Sequence, residues 1–84
     1  MQHPTLSIII PAYNEAERIP STLKAVDEYL RKQSYDYEIL VVNDGSTDST
    51  GEKLAPFADR IRVITHHSNF GYGASLKTGI RATR

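Results

Sequence analysis

Two continuous apolar runs and one helical repeat organise the first half of the chain. Residues 6–11 and 37–43 are short runs rich in β-branched side chains, and they predict strands covered on both faces of a parallel sheet. Between them, apolar residues recur at intervals of four, three and four, which predicts a helix that ends near Gln33. Its buried stripe contains Ile19, Leu23, Val26 and Leu30, and its polar face contains Lys24, Asp27, Glu28 and Arg31. Residues 34–36 connect this helix to the second predicted strand.

The second half of the chain continues the alternation of strands and helices. Residues 46–49 offer several side chains suited to begin a helix that runs through about Ala58, with Ser49 and Glu52 spaced for a capping box. Pro56 weakens the last turn of that helix. Residues 62–66 predict a third strand, and a helical pattern runs from Ala74 towards Arg84.

The predicted order of elements is β-α-β-α-β-α. Strands that alternate with helices across short connections require right-handed crossovers and a parallel sheet. The fold class is therefore α/β, and residues 1–84 are expected to form the three-layer half of a doubly wound, Rossmann-like nucleotide-binding domain with a parallel three-stranded sheet. A chain of 84 residues buries only roughly 60–65% of the surface of its unfolded form, so its stability is expected to be marginal.

Composition excludes several classes of function. Ten basic residues balance ten acidic ones, so the long-range field that would attract nucleic acid or anionic lipid is missing. The chain has no cysteine and no apolar run near 18 residues, which excludes a disulfide framework, a thiolate zinc site and a transmembrane helix. Residues 1–5 lack the features of a secretory signal, and the cytosol is the expected compartment.

Candidate chemistry lies at the end of each predicted strand, in residues 11–15, 43–48 and 69–73. Because parallel strands point the same way, these segments are expected to meet at one edge of the sheet, which brings Glu15 near Asp44. Asp44 could accept hydrogen bonds from a ring N–H or a ribose hydroxyl, and such charge-assisted bonds are strong. Alternatively, Asp44 and Gly45 form a turn, Ser46 or Asp48 caps a helix, and Glu15 is a first-turn acid.

The third segment has the glycines of an anion-binding turn. Gly71 and Gly73 allow close backbone approach, and the helix after them presents free N–H groups to an anion such as a diphosphate, although an ordinary strand-to-helix turn has the same glycines. Lys77 could reach a phosphate or remain solvated, and Tyr13 could stack on a base or pack as an ordinary aromatic residue. Leu76 replaces the third glycine of the dinucleotide fingerprint, and the chain has no P-loop motif.

A metal site is not expected in this chain. His66 and His67 are adjacent at the end of a strand, so their side chains point to opposite sides, and the spacing places no third ligand beside them.

Three motifs together resemble the opening blocks of family 2 glycosyltransferases, which have the GT-A fold. They are IIIPAYNE at residues 8–15, VVNDGSTD at residues 41–48 and NFGYGA at residues 69–74. With Gly79 six residues beyond Gly73, the sequence of these motifs is most similar to that of the branch that moves a hexose onto a polyprenyl or dolichyl phosphate. The resemblance covers nearly the whole chain.

The resemblance implies a role for each matching segment. Pro11, Ala12, Tyr13 and Glu15 would line the pocket for the base and ribose of a UDP- or GDP-hexose, and Asp44 would hydrogen-bond the nucleotide. The turn that contains Gly71 and Gly73 would shape the pocket beside the diphosphate, with a contribution from Lys77. In the family, a later D-x-D motif holds Mg²⁺ or Mn²⁺ against the diphosphate, and the sugar is transferred with inversion to an acceptor.

The sequence departs from the family because it contains no D-x-D motif and ends at Arg84, where the strand that carries the motif is expected to begin. We therefore expect the chain to be the N-terminal, truncated part of the transferase domain, without catalytic residues, metal or transferase activity of its own. The longer protein is expected to act on a lipid-phosphate acceptor in the cytoplasm or at the cytoplasmic face of a membrane.

Two other interpretations remain open. The chain could be a nucleotide-binding module with weak affinity for UDP or GDP. It could also be an excised folding unit that forms a homodimer, because a strand order of 3-2-1 would leave the apolar first strand as an unpaired edge. A Rossmann dehydrogenase is disfavoured by Leu76 and by Pro11, which ends the first strand where a glycine would be expected.

Overall fold

The structure of the protein is a computed structural model that describes residues 4–34 and 36–84. Residues 1–3 at the start of the chain and Tyr35 in the predicted connection lie outside the described residues. The elements follow the predicted alternation, which is confirmed. They are β1 (Leu6–Ala12), α1 (Ile19–Arg31), β2 (Tyr37–Asp44), α2 (Thr50–Leu54) with a 3₁₀ turn at Ala55–Phe57, β3 (Arg62–His66) and α3 (Tyr72–Ala82).

The three strands form a parallel sheet in the order β1-β2-β3, as expected. Leu6 of β1 is opposite Tyr37, and Leu40 of β2 is opposite Arg62. Because β2 has a neighbour on each side, its side chains from Ile39 to Asp44 are buried. Strand β1 pairs with β2 along one edge, and its side chains before Ala12 are only half-buried.

Helices cover both faces of the sheet and produce the predicted three layers. On one face, Leu23 and Leu30 of α1 and Leu54 of α2 pack with Ile39 and Val41 of β2 in one apolar cluster. On the other face, α3 lies against β1 and β2. A Cβ atom added at Gly79 would lie 2.4 Å from Cγ2 of Ile9, so the missing side chain of Gly79 allows α3 to approach the sheet closely.

The prediction that Asp27 belongs to the polar face of α1 is wrong. Asp27 lies four residues after Leu23 and three before Leu30, at the border of the apolar stripe, and it is 5% exposed. Its carboxylate pairs with Arg31 and Arg60 at 2.9 Å each and accepts a hydrogen bond from the hydroxyl of Tyr37 at 3.1 Å. Three donors compensate for the burial of this charge.

The capping box predicted for the second helix is also absent. Ser49 is the N-cap residue of α2, but its side chain makes no capping hydrogen bond to any described residue. Asp48 replaces it, because its Oδ1 accepts a hydrogen bond from the backbone N–H of Thr50 at 2.9 Å. The α-helix ends at Leu54 and tightens into the 3₁₀ turn that contains Pro56, as the weakening effect of the proline predicts.

Candidate functional site

The ends of the three strands lie side by side at one edge of the sheet, which we call the carboxyl edge. It contains residues 11–15, 43–48 and 69–73. The register places Ala12 of β1 opposite Asn43 of β2, and Asp44 of β2 opposite His66 of β3. The predicted meeting of the three segments is therefore confirmed by the sheet.

Asn14 joins the first segment to the second. It is the one non-glycine residue with a positive φ, 52°, among residues 4–34 and 36–84, and asparagine tolerates this conformation better than most residues. Its backbone N–H donates to the hydroxyl of Ser46 at 3.0 Å. Its side-chain oxygen accepts hydrogen bonds from the backbone N–H groups of Thr47 at 2.8 Å and Asp48 at 3.3 Å. The sequence predictions did not include this role for Asn14.

Glu15 and Asp48 add to the same connection, or joint, between the first and second segments. The backbone N–H of Glu15 donates to the hydroxyl of Thr50 at 2.9 Å, and that of Ala16 donates to Oδ2 of Asp48 at 3.2 Å. The carboxylate of Glu15 pairs with Arg18 at 2.6 Å. The contacts of Glu15 therefore lead towards α1 and α2, whereas those of Asp44 lead towards β3 and α3.

Asp44 joins the second segment to the third. It is 3% exposed, and three donors surround its carboxylate. Oδ1 lies 2.7 Å from Nδ1 of His66 and accepts a hydrogen bond from the backbone N–H of Phe70 at 3.0 Å. Oδ2 accepts one from the backbone N–H of Gly71 at 2.9 Å.

These hydrogen bonds keep Asp44 ionised. Burial by itself would raise the pKa of the Asp44 carboxyl, because it removes water from the charged form. The hydrogen bonds from His66, Phe70 and Gly71 outweigh burial, so the pKa of Asp44 lies below its usual value. Asp44 is thus a fixed, negatively charged acceptor at the carboxyl edge.

Two glycines give the segments their shape. Gly45 has a φ of 68°, and an added Cβ atom would lie 2.2 Å from the backbone carbon of Ser68 and 2.5 Å from the backbone nitrogen of Asn69. Gly71, with a φ of 99°, is the N-cap residue of α3. Because it starts at Tyr72, this helix begins two residues before the predicted Ala74.

A cavity of about 360 Å³ lies between the first and third segments. Five of the predicted nucleotide-binding residues line it: Pro11, Ala12, Tyr13, Asp44 and Gly71. Asn69, Tyr72 and Ser75 also line it, whereas Glu15, Gly73 and Lys77 do not. The cavity therefore combines an aromatic side chain that is 45% exposed, Tyr13, with the buried carboxylate of Asp44.

Ser75 is a cavity residue that the sequence predictions missed. Its side chain is fully buried, and its Oγ has no hydrogen-bond partner among the described residues. Its position one helical turn after Gly71 was the only available sequence signal.

A larger depression of about 590 Å³ lies at the opposite, amino-terminal ends of β2 and β3. Its central charges, Glu38 and Arg62, are paired with each other at 2.9 Å, and Ser7 and the backbone N–H of Arg84 also donate to Glu38. We favour the carboxyl edge as the candidate site despite its smaller volume, because ligands of open parallel sheets bind at that end.

The described residues offer neither a metal site nor a membrane span. In residues 4–34 and 36–84, no three His, Asp or Glu side chains come together in a way that would hold a metal ion. None of the helices in this part of the chain is long and apolar enough to cross a membrane.

Known proteins share both the sequence and the fold. The chain is 35% identical over 89 residues to the human dolichyl-phosphate beta-glucosyltransferase, in an alignment that covers 94% of the chain. It superimposes with a TM-score of 0.82 and 26% identity, over its full length, on a mannosyltransferase from Pyrobaculum calidifontis solved with GDP-Man and Mn²⁺. It superimposes with a TM-score of 0.74 and 26% identity, over 96% of its length, on the glucosyl-3-phosphoglycerate synthase of Mycobacterium tuberculosis solved with Mn²⁺, UDP-glucose and phosphoglyceric acid.

The chain spans only 26% to 30% of the length of these three proteins. Within that part, its parallel sheet and helices match the GT-A nucleotide-sugar enzymes, as the three motifs predicted. The family model for glycosyl transferase family 2 matches residues 7–84. The chain therefore belongs to glycosyl transferase family 2.

Proposed function

We propose that this chain forms the nucleotide-binding part of the donor site of a glycosyltransferase. The observation that carries the proposal is the cavity at the carboxyl edge, which Tyr13, Asp44 and Gly71 line together. An exposed aromatic ring can stack on a base, and an ionised acceptor can receive a hydrogen bond from a base or ribose. Pro11 and Ala12 line the same cavity.

Glu15, Gly73 and Lys77 remain part of the proposed nucleotide site, although they lie outside the cavity. Glu15 follows Tyr13 by two residues, and Gly73 and Lys77 belong to the first two turns of α3. A nucleotide with its base beside Tyr13 would extend along the carboxyl edge beyond this cavity of about 360 Å³. Its ribose and phosphate groups would then come within reach of these flanking positions.

Exchange of Tyr13 for alanine tests this site directly. Tyr13 is half-exposed, so its removal is expected to leave the fold intact while base stacking worth about 1–3 kcal/mol is lost. We expect Tyr13→Ala to weaken the binding of UDP or GDP by about 5- to 150-fold, measured by chemical-shift titration with and without Mn²⁺. Binding is expected to be weak and independent of the metal.

Tyr29→Ala is the matched control. Tyr29 is also exposed, but it lies on α1 away from the carboxyl edge. Its replacement is expected to leave nucleotide affinity unchanged. The proposal is wrong if millimolar nucleotide shifts no resonance of Tyr13, Asp44 or Gly71, or if the two tyrosine variants lose the same affinity.

We propose further that the longer protein transfers a hexose from a UDP- or GDP-sugar to a polyprenyl or dolichyl phosphate. The name of the human relative supports the dolichyl-phosphate acceptor, and the sugar nucleotides bound to the two solved enzymes support the donor. A divalent metal would be bound by residues outside this chain, because the described residues do not fit one. The 84-residue chain alone is then expected to be the N-terminal part of the domain and to have no transferase activity.

Activity assays on both proteins test this division. The longer protein, incubated with UDP-glucose or GDP-mannose, Mn²⁺ and dolichyl phosphate, is expected to form a glycolipid, and EDTA is expected to stop the reaction. Turnover of either sugar nucleotide by the isolated chain would contradict the assignment of the catalytic residues to the rest of the protein. Protease protection of sealed vesicles would test the proposed cytoplasmic face.

The isolated chain is also proposed to form a homodimer through β1. Among the described strands, β1 has only β2 as a neighbour, and its apolar side chains are half-buried. An unpaired apolar edge is a template for pairing with a second copy. Sedimentation equilibrium is expected to show a dimer, and a strictly monomeric profile at high concentration would refute the proposal.

A further inference from the structure

We propose that His66 is a positioning residue for nucleotide binding: it holds the carboxylate of Asp44 so that Oδ2 remains available to a ligand. This inference rests on the proposed nucleotide site. His66 does not line the cavity, and its effect on a ligand would pass entirely through Asp44.

The hydrogen bonds of Asp44 distribute unequally over its two oxygens. A carboxylate offers about two lone-pair positions on each oxygen. His66 and the backbone N–H of Phe70 occupy both positions of Oδ1, at 2.7 and 3.0 Å. Among the described residues, Oδ2 receives one hydrogen bond, from Gly71 at 2.9 Å. The remaining acceptor position of this cavity residue is therefore on Oδ2, and it suits a single N–H or O–H donor of a ligand.

His66 is itself held on three sides. Its Nδ1 faces a carboxylate that only accepts, so Nδ1 carries the hydrogen of this pair. Its Nε2 lies 2.9 Å from the hydroxyl of Thr78 on α3. The ring of Phe70 packs edge-on against the imidazole, with ring centroids 5.2 Å apart. The side chain of His66 is only 12% exposed, so it has little freedom to leave Asp44.

The position of His66 in the sheet explains why it can act in this way. It is the register partner of Asp44 in the β2-β3 ladder, so the two side chains leave the sheet at the same level and on the same side. Loss of the Nδ1 donor would vacate one position on Oδ1. The carboxylate could then turn, and either oxygen could be drawn away from the cavity.

Two substitutions at His66 separate its two ring nitrogens. In His66→Asn, the amide nitrogen occupies the place of Nδ1 and can still donate to Asp44, but the contact with Thr78 is lost. In His66→Gln, the amide group occupies the place of Nε2 and can reach Thr78, but the donor to Asp44 is lost. Both variants remove the ring, so a merely structural role would affect them alike.

The test uses the full 84-residue chain titrated with UDP and GDP by chemical-shift mapping, with urea unfolding as the measure of stability. We expect His66→Asn to bind within about threefold of the unsubstituted chain and His66→Gln to bind about tenfold more weakly, with both variants folded in the absence of urea. Equal affinity of His66→Gln and the unsubstituted chain would overturn the inference, and so would equal losses in both variants.

Two further measurements keep the inference separate from the proposed function. If the unsubstituted chain binds neither nucleotide, the proposed function fails, and amide exchange in the ligand-free chain decides whether His66 positions Asp44. Faster exchange at Phe70 and Gly71 in His66→Gln than in His66→Asn supports the positioning role, and equal exchange overturns it. If the His66 variants do not fold, Thr78→Val is used, because it frees Nε2 of His66. Faster exchange at Phe70 and Gly71 than in the unsubstituted chain supports the positioning role, and equal exchange overturns it.

Discussion

Gly45 is the position at which one added methyl group is expected to damage the site most. Its φ of 68° disfavours any side chain, and the left-handed conformation alone costs a non-glycine residue roughly 1–2 kcal/mol. In addition, a Cβ atom would lie 2.2 Å from the backbone carbon of Ser68 and 2.5 Å from the nitrogen of Asn69. Backbone atoms cannot rotate away, so the third segment of the carboxyl edge must move.

That movement would break the joint at Asp44. Phe70 and Gly71 donate their backbone N–H groups to this carboxylate, and hydrogen bonds to a charged group are worth about 1.5–3 kcal/mol each. If the strain at Gly45 is added to the loss of one such bond, Gly45→Ala is expected to lower the free energy of unfolding by about 3 kcal/mol or more.

Urea unfolding monitored by circular dichroism measures this loss. With a denaturant dependence of about 1–3 kcal/mol per molar urea, the midpoint should fall by about 1–3 M. The melting temperature should fall by about 12–24 °C, since 1 kcal/mol corresponds to roughly 4–8 °C in a chain of this size.

Gly73→Ala is the matched control, because Gly73 lies in the first turn of α3 and no described atom is within 4 Å of its added Cβ. Alanine is the better helix former, so the control is expected to be neutral or to gain up to about 1 kcal/mol. The reasoning is refuted if Gly45→Ala unfolds within about 0.5 kcal/mol of the unsubstituted chain, or if both variants lose equal stability.

Three further predictions concern the joint at Asn14, the packing of α3 and the response to acid. Asn14→Ala is expected to lower the free energy of unfolding, measured with urea, by about 1–3 kcal/mol, because two backbone donors lose their acceptor. Asn14→Asp retains the acceptor, so equal losses of stability in the two variants would contradict this. Gly79→Ala is expected to lower the free energy of unfolding by about 1–3 kcal/mol through its contact with Ile9. In a double-mutant cycle with Ile9→Ala, the double variant should lose less stability than the sum of the two single variants, and strict additivity would exclude the clash. For Glu38, burial raises the pKa but hydrogen bonds from Arg84, Ser7 and Arg62 outweigh it, so its folded pKa lies below the unfolded value of about 4.3. Its contribution to stability is therefore complete above that pH and is lost as pH falls through the folded pKa. Glu38→Gln should reduce the fall in the free energy of unfolding at acid pH, and an unchanged fall would contradict this.

The fold was predictable because short-range sequence patterns indicate its strands. Continuous β-branched runs and a regular helical stripe depend on short-range sequence, and the alternation of elements then permits few topologies. Asp27 was misplaced because its burial depends on Arg60, which is 33 residues away in the chain. The capping contact of α2 was misjudged because Ser49 and Asp48 both have suitable side chains, and only the local backbone decides which of them accepts the hydrogen bond.

The candidate site was predictable in location but not in construction. Parallel strands bring their carboxyl ends together in any such sheet, so the convergence of the three segments followed from topology alone. The contacts that fix Asp44 did not, because two of its three donors are backbone N–H groups of Phe70 and Gly71. A backbone donor has no sequence signature, and its direction depends on torsion angles such as that of Gly71.

The carboxyl edge is held mainly by hydrogen bonds between side chains and backbone, and this arrangement has a consequence for ligand binding. Asn14 fixes the first segment to the second, and Asp44 fixes the second to the third. The cavity lies between the first and third segments, so its width depends on both joints. A site held open before the ligand arrives loses less freedom on binding, which raises affinity. Because the hydrogen bonds that shape the cavity are made in the ligand-free chain, a change at Asn14 is expected to weaken nucleotide binding even though its side chain does not line the cavity.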